Sequence, residues 1–141
     1  MLSLADLIEQ LSYSMEQHET KVIAASRFSS LTAAQIHCLD MISHPEEGPT
    51  FSELAERLSV SKPSVTVAVE KLETQGYLRK VQSTEDKRSF NIYLTDEGKM
   101  ISKLHDDIHR GYAESIERAL TQPEVKNLKR LLSKALGYMK G

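Results

Sequence analysis

Apolar positions recur at helical spacing along most of this chain, and short polar signals separate the runs. Leu4, Leu7, Ile8, Leu11, Met15 and Val22 follow the helical period, predicting a long amphipathic helix from residue 3 to about 25. Thr32-Ala-Ala-Gln35 is a capping-box pattern, in which the Thr32 hydroxyl accepts the Gln35 amide. It opens a helix through Ile36, Leu39 and Ile42 that stops before His44-Pro45, and residues 45–49 form a turn. A second box, Thr50-Phe-Ser-Glu53, starts a short helix with Leu54, Ala55 and Leu58 inward, broken at Ser59-Val60-Ser61. Ser61 or Lys62 caps the next helix, with Pro63 tolerated in its first turn. Val65, Ala68, Val69 and Leu72 form its buried stripe, and Gly76 closes it.

Beyond Gly76 the period changes. Tyr77–Gln82 and Ser89–Leu94 read as two strands, with Phe90, Ile92 and Leu94 alternating against Asn91 and Tyr93. The charged stretch Ser83–Arg88 joins them as a polar hairpin loop. Thr95-Asp96-Glu97 caps another helix, its acidic first turn suiting the positive end of the dipole. That helix runs through Ile101, Leu104, Ile108 and Ile116 to about Leu120. A third box, Thr121-Gln-Pro-Glu124, opens the last helix, with Val125, Leu128, Leu132, Ala135 and Met139 on one side. The order is mainly α with a small β-hairpin, that of a winged helix-turn-helix with extra helices at both ends. The expected divisions are an N-terminal segment 1–31, a winged unit 32–98 and C-terminal helices 99–141. Each amphipathic end segment needs an apolar partner, which a second copy of the chain supplies in a homodimer.

Composition narrows the class without naming it. At 141 residues and 40% hydrophobic, the chain fits one domain with extensions and a real core. No apolar run approaches the roughly 20 residues a membrane span needs. Met1–Gln10 carries Asp6 and Glu9 and no basic region, unlike a signal peptide. The lone Cys38 has no internal disulfide partner, which points to a reducing, cytoplasmic setting. Net charge is −2, spread as −6 over residues 1–59, +1 over 60–99 and +3 over 100–141. A nucleic-acid binder usually carries a stronger basic footprint.

What the third helix turns outward says more than the charge. Opposite its buried stripe lie Pro63, Thr66, Val67 and Glu70, with Lys62 and Ser64 in the first turn and Lys71 further on. An outward Val67 suits contact with a thymine methyl, and Thr66 and Ser64 suit base edges and phosphates. A single exposed apolar residue is also ordinary surface. Lys87 and Arg88 sit where a wing would meet DNA, and Asp86 is placed to brace the Arg88 guanidinium.

Leu58–Thr66, Leu72–Arg79, Glu85-Asp-Lys-Arg88 and Tyr93-Leu-Thr-Asp-Glu-Gly98 together resemble the MarR family of winged-helix transcriptional regulators. The resemblance spans essentially the whole chain, and Asp86-x-Arg88 followed by Leu94-Thr95-x-x-Gly98 is its most specific part. It implies a homodimer whose end helices interlock and whose recognition helices enter successive major grooves of a near-palindromic double-stranded DNA. Carried over, Ser61, Lys62, Ser64 and Thr66 match recognition-helix contacts, Arg88 the minor-groove wing residue and Asp86 its brace. The near-neutral winged region departs from strongly basic members and implies modest non-specific affinity.

The resemblance extends to control. His105-Asp-Asp-Ile-His109 puts two imidazoles one turn apart on one helix face, a spacing that suits Zn²⁺. In the zinc-sensing branch of the family, of the AdcR and ZitR type, the ligands are a Glu late in the first helix, a His early in the second and a His-x₃-His pair after the wing. Glu19, His37, His105 and His109 fall at the matching offsets, which implies a closed site of three imidazoles and one carboxylate. That branch's second site has Cys and Glu where this chain has Ala25, Ile36 and Leu104, so one Zn²⁺ per protomer is expected at most. Mn²⁺ suits three imidazoles poorly.

Three other readings stay open at this level. A small aromatic or lipophilic effector would need a crevice, for which Tyr13, Phe28 and Tyr112 are candidate lining residues. A redox switch at Cys38 lacks a cationic neighbour to activate the thiolate. A winged-helix adaptor without DNA binding fits the weak basic footprint. Catalysis is disfavoured: no nucleophile–base pairing and no Gly-rich phosphate loop is visible.

Overall fold

Side-chain caps set where the helices begin. In the computed structural model, which describes residues 1–43 and 47–140, the element order is α1 (Leu4–Ala24), α2 (Ala33–Ser43), α3 (Phe51–Leu58), α4 (Lys62–Thr74), β1 (Leu78–Gln82), β2 (Phe90–Leu94), α5 (Asp96–Ala119) and α6 (Gln122–Lys140). Thr32 accepts the Gln35 amide at 3.1 Å and its own amide donates to Gln35 Oε1 at 2.9 Å, a complete capping box for α2. Thr121 and Glu124 repeat it at α6, where the Thr121 amide holds the Glu124 carboxyl below its ordinary range. At α3 only half of the box forms. Thr50 accepts the Glu53 amide, but the Glu53 carboxylate takes the Thr50 hydroxyl rather than its amide. Pro45 and Glu46, part of the expected turn, lie outside the described residues, as does His44.

Helix ends are equally local. Ser59 closes α3 in the left-handed conformation at φ 55°, and the Val60 amide reaches back to the Ala55 carbonyl. Gly76, at φ 88°, ends α4 in a Schellman arrangement. The Tyr77 amide donates to Leu72 and the Gly76 amide to Glu73. Only a residue without Cβ takes that φ cheaply, and the reversal aims the chain straight into β1.

β1 and β2 pair antiparallel, with Leu78 opposite Leu94 and Gln82 opposite Phe90. The segment before α3 adds a short rung on the far side of β2: Thr50 bridges Asn91, and the Ile92 amide donates to Pro49. Leu39, Leu54, Val65, Val69, Leu72, Ile92 and Ile101 are buried together, so α2, α3, α4, the hairpin and the start of α5 share one core. Each of the larger aliphatics contributes roughly 1.5–3 kcal/mol by leaving water. Ala68 and Leu104, expected in the stripes, are half-buried.

The chain divides into two compact units, Met1–Asp106 and Asp107–Gly141, with α5 running from the first into the second. In the first, α1 has no buried residue and exposes Leu4, Leu7, Ile8 and Leu11; in the second, α6 exposes Leu131, Leu132, Leu136 and Met139. Among the described residues no helix is long and apolar enough to cross a membrane.

Candidate DNA-reading face and metal centre

The first turn of α4 is built by Ser61. Its hydroxyl accepts the Ser64 amide at 3.3 Å and lies 2.9 Å from Ser64 Oγ. Both serines are exposed at the helix start, where the dipole and free amides favour an anion such as a phosphate. Thr66 donates its hydroxyl to the Lys62 carbonyl at 3.1 Å, one turn back. Val67 is 67% exposed, and Lys62, Pro63 and Lys71 are exposed as well. Val65 is 1% exposed on the other side, so the face presented to solvent is fixed by the core behind it.

The wing loop is tightly bonded despite its charge. Ser83 accepts the amides of Glu85 and Asp86, Ser89 and Asp86 close a turn, and Gln82 Nε2 donates to the Lys87 carbonyl. Asp86 Oδ1 accepts the Arg88 amide at 3.0 Å and lies 3.5 Å from Arg88 Nε. The Arg88 side chain is 93% exposed, so this bond orients it and leaves most of its donors to a ligand. Lys62 and Thr66 of α4, Arg88 of the wing and Thr50–Ser52 at the start of α3 line one open groove. Thr50, Phe51 and Ser52 were not foreseen there, because their sequence signal is a helix cap.

A second constellation gathers around α5. His105 Nδ1 lies 3.2 Å from Glu19 Oε1, although 86 residues separate the two. His109 stands one turn further along the same helix. Glu19, His105 and His109 each bring a ligand atom within 4.8 Å of the others. Two imidazoles and a carboxylate, half-buried at Glu19 and His105, are donors that Zn²⁺ accepts. His37, the fourth expected ligand, is exposed on α2 and outside that group. Asp40, one turn after His37, is present instead, with Oδ2 3.8 Å from His105 Nε2. Asp40 belongs to no motif in the sequence.

At the positions where no second site was expected, Ala25 is exposed, Ile36 buried and Leu104 half-buried. None of the three carries a group that binds a metal. The three aromatic candidates do not converge: Phe28 is 6% exposed in the core, edge-on to Tyr77, whereas Tyr13 is 64% exposed and Tyr112 half-buried. The pocket between α1 and α2 is lined by Glu16, Glu19, Thr20, Ile23, Ser29 and Leu31, among others, and by no aromatic ring. Cys38 is 4% exposed, and burial pushes its thiol up to about 11.

These elements define a winged helix-turn-helix protein. The model of the MarR family matches residues 31–90. The transcriptional regulator AdcR of Streptococcus pneumoniae is 33% identical over 139 residues, 96% of this chain and 94% of that protein. An HTH-type transcriptional repressor of Mycobacterium tuberculosis is 30% identical over 114 residues, 81% of each. The fold is also that of Streptococcus pneumoniae FabT, solved in complex with DNA, with a TM-score of 0.83 at 24% identity over 96% of this chain and 94% of that one. The chain belongs to the MarR family; it is a DNA-binding transcriptional regulator and not an enzyme.

Proposed function

We propose that this regulator is a homodimeric, zinc-responsive repressor that binds a palindromic operator in the cytoplasm. The convergence of Glu19, His105 and His109 on a chain that also carries the α4 face and the wing is the observation that carries it. His37 is taken as the fourth ligand on its offset in the zinc-sensing branch alone, since its side chain is exposed and stands outside the group in the structure. One ion per protomer is expected, since Ala25, Ile36 and Leu104 leave nothing for a second.

When bound, the ion supplies a charge-dense link between α1, α2 and α5. The chain's own residues do the reading. Ser61, Lys62 and Ser64 hold phosphates at the start of α4, and Pro63, Thr66 and Val67 meet base edges in the major groove. Lys71 and Lys87 add phosphate contacts, while Arg88, braced by Asp86, enters the minor groove. The exposed apolar faces of α1 and α6, in segments 1–31 and 99–141, are what a second copy covers.

Because linkage is reciprocal, an ion that binds the DNA-competent form more tightly raises operator affinity. The test is a chelator-competition Zn²⁺ titration of the full chain beside a His105→Ala, His109→Ala variant. Each is then assayed on a duplex selected from a random pool, with and without the ion. One tight ion per protomer, lost in the variant, and operator binding that strengthens with zinc only in the parent protein are expected. Operator affinity indifferent to zinc would sink the reading.

A further inference from the structure

His105 lies between two carboxylates from different helices. Its Nδ1 is 3.2 Å from Glu19 Oε1 on α1, and its Nε2 is 3.8 Å from Asp40 Oδ2 on α2. The His105 and Asp40 side chains are each 14% exposed, so neighbouring groups rather than water set the ring's direction. Asp40 is itself held in place. Ser102 Oγ lies 3.4 Å from Asp40 Oδ1 and 2.9 Å from Ser43 Oγ, and Ser43 donates to the Asp40 carbonyl at 2.6 Å. Ser102 is 5% exposed and stands one turn before His105 on α5. A buried hydroxyl costs free energy unless it is bonded, and here its partners are Asp40 Oδ1 and Ser43 Oγ.

We propose that Asp40 is a positioning residue for His105, holding the ring through Nε2 so that Nδ1 faces the Glu19 side, where the ion is taken. This deepens the zinc reading and rests on it. Imidazoles that bind metals almost always give their other ring N–H to a carboxylate, carbonyl or water, which fixes tautomer and orientation. Asp40 is the carboxylate on that side of the ring, with Oδ2 3.8 Å from Nε2. Ser102 and Ser43 keep the carboxylate from following the ring away. Asp40 does not touch the ion and acts only through His105.

The test is a Zn²⁺ chelator-competition titration of the full-length wild-type chain, Asp40→Asn, His105→Ala and the double variant. Asparagine keeps the size and the Ser102 contact but loses the charged acceptor. Asp40→Asn is expected to bind zinc about 10–100-fold more weakly, the range for lost outer-shell partners. Asp40→Glu recovers part of that loss, and melting of the metal-free protein guards against misfolding. In the His105→Ala background the Asp40→Asn change costs nothing further. In the zinc-loaded wild type, ¹⁵N spectra place the His105 proton on Nε2, and its hydrogen-bond signature disappears in Asp40→Asn. Equal affinity of wild type and Asp40→Asn overturns the proposal. So does a loss that persists undiminished without His105, which would put Asp40 on the ion itself. If the wild type takes up no zinc, the zinc reading fails and the positioning role with it, a result distinct from a tight wild type matched by Asp40→Asn.

Discussion

Thr95 donates its hydroxyl to the carbonyl of Gly76 across 2.6 Å. Thr95 Oγ1 in turn accepts the Gly98 amide at 3.2 Å, and the Thr95 amide donates to the Tyr77 carbonyl. One residue thereby caps α5, closes β2 and ties both to the end of α4. The end of α4 and the start of α5 are thereby joined through one side chain and its backbone.

That junction sets the first prediction. A Cβ at Gly98 would overlap the Tyr77 carbonyl oxygen, a backbone atom that cannot swing aside. Gly98→Ala is expected to cost about 1–3 kcal/mol, as overpacking does. Thr95→Val, which removes the cap, costs about 1–2 kcal/mol. Urea unfolding of both variants measures this, and unchanged midpoints would refute the role given to the junction.

Val67 makes the second prediction. With the Thr66 hydroxyl turned back to Lys62, the outward chemistry at 66 and 67 is largely methyl groups. Replacing thymine by uracil in the selected operator removes the methyl those groups would touch. The wild type should then lose on the order of 1 kcal/mol per lost contact, the scale of a buried methylene. Val67→Ser should lose affinity on the thymine duplex and show little response to uracil. Equal sensitivity in both proteins would place Val67 away from the bases.

The third concerns charge. Lys62 is an exposed cation in the first turn of α4, and Arg88 an exposed one on the wing. Lys62→Ala should weaken binding to all duplexes alike and lower the slope of log K against log salt by about 1. Arg88→Ala should cost roughly 1–3 kcal/mol and relax preference at the A·T-rich positions beneath the wing. Fluorescence anisotropy across a salt series separates the two. A slope unmoved by Lys62→Ala would remove that residue from the phosphates.

Local chemistry was legible in the sequence, and distant pairing was not. Thr32 with Gln35 and Thr121 with Glu124 announce helix starts because cap and partner lie three residues apart. The alternation of Phe90, Ile92 and Leu94 gives a strand for the same reason. The Ser3–Asp6 box at α1 is also complete, and its hydrogen bonds hold the Asp6 carboxyl below its ordinary range. The resemblance supplied Glu19 and His105, which the fold brings to 3.2 Å. No motif in the sequence marks Asp40, whose meaning arises only when the fold brings it against the buried Ser102 and His105 of α5. His37 shows the converse limit: its offset matches a ligand, yet the side chain is exposed and outside the cluster.

Cys38 carries the last prediction. Burial raises its thiol from 9.0 to about 11, because the apolar surroundings disfavour the thiolate. Well below pH 9 the thiol is protonated in both folded and unfolded chains and adds no pH dependence. Between about 9 and 11 the unfolded chain ionises first, binds fewer protons and gains on the folded one, so Cys38 lowers stability as pH rises through that window. At pH 8 only about one folded molecule in a thousand carries the thiolate, the form that attacks a disulfide. Ellman's reagent should therefore react slowly with the folded protein at pH 8 and at the free-thiol rate in urea. The folded-state rate should keep climbing past pH 9 instead of levelling there. A fast reaction at pH 8 without unfolding would show an accessible thiolate and restore a redox switch as a rival to metal control.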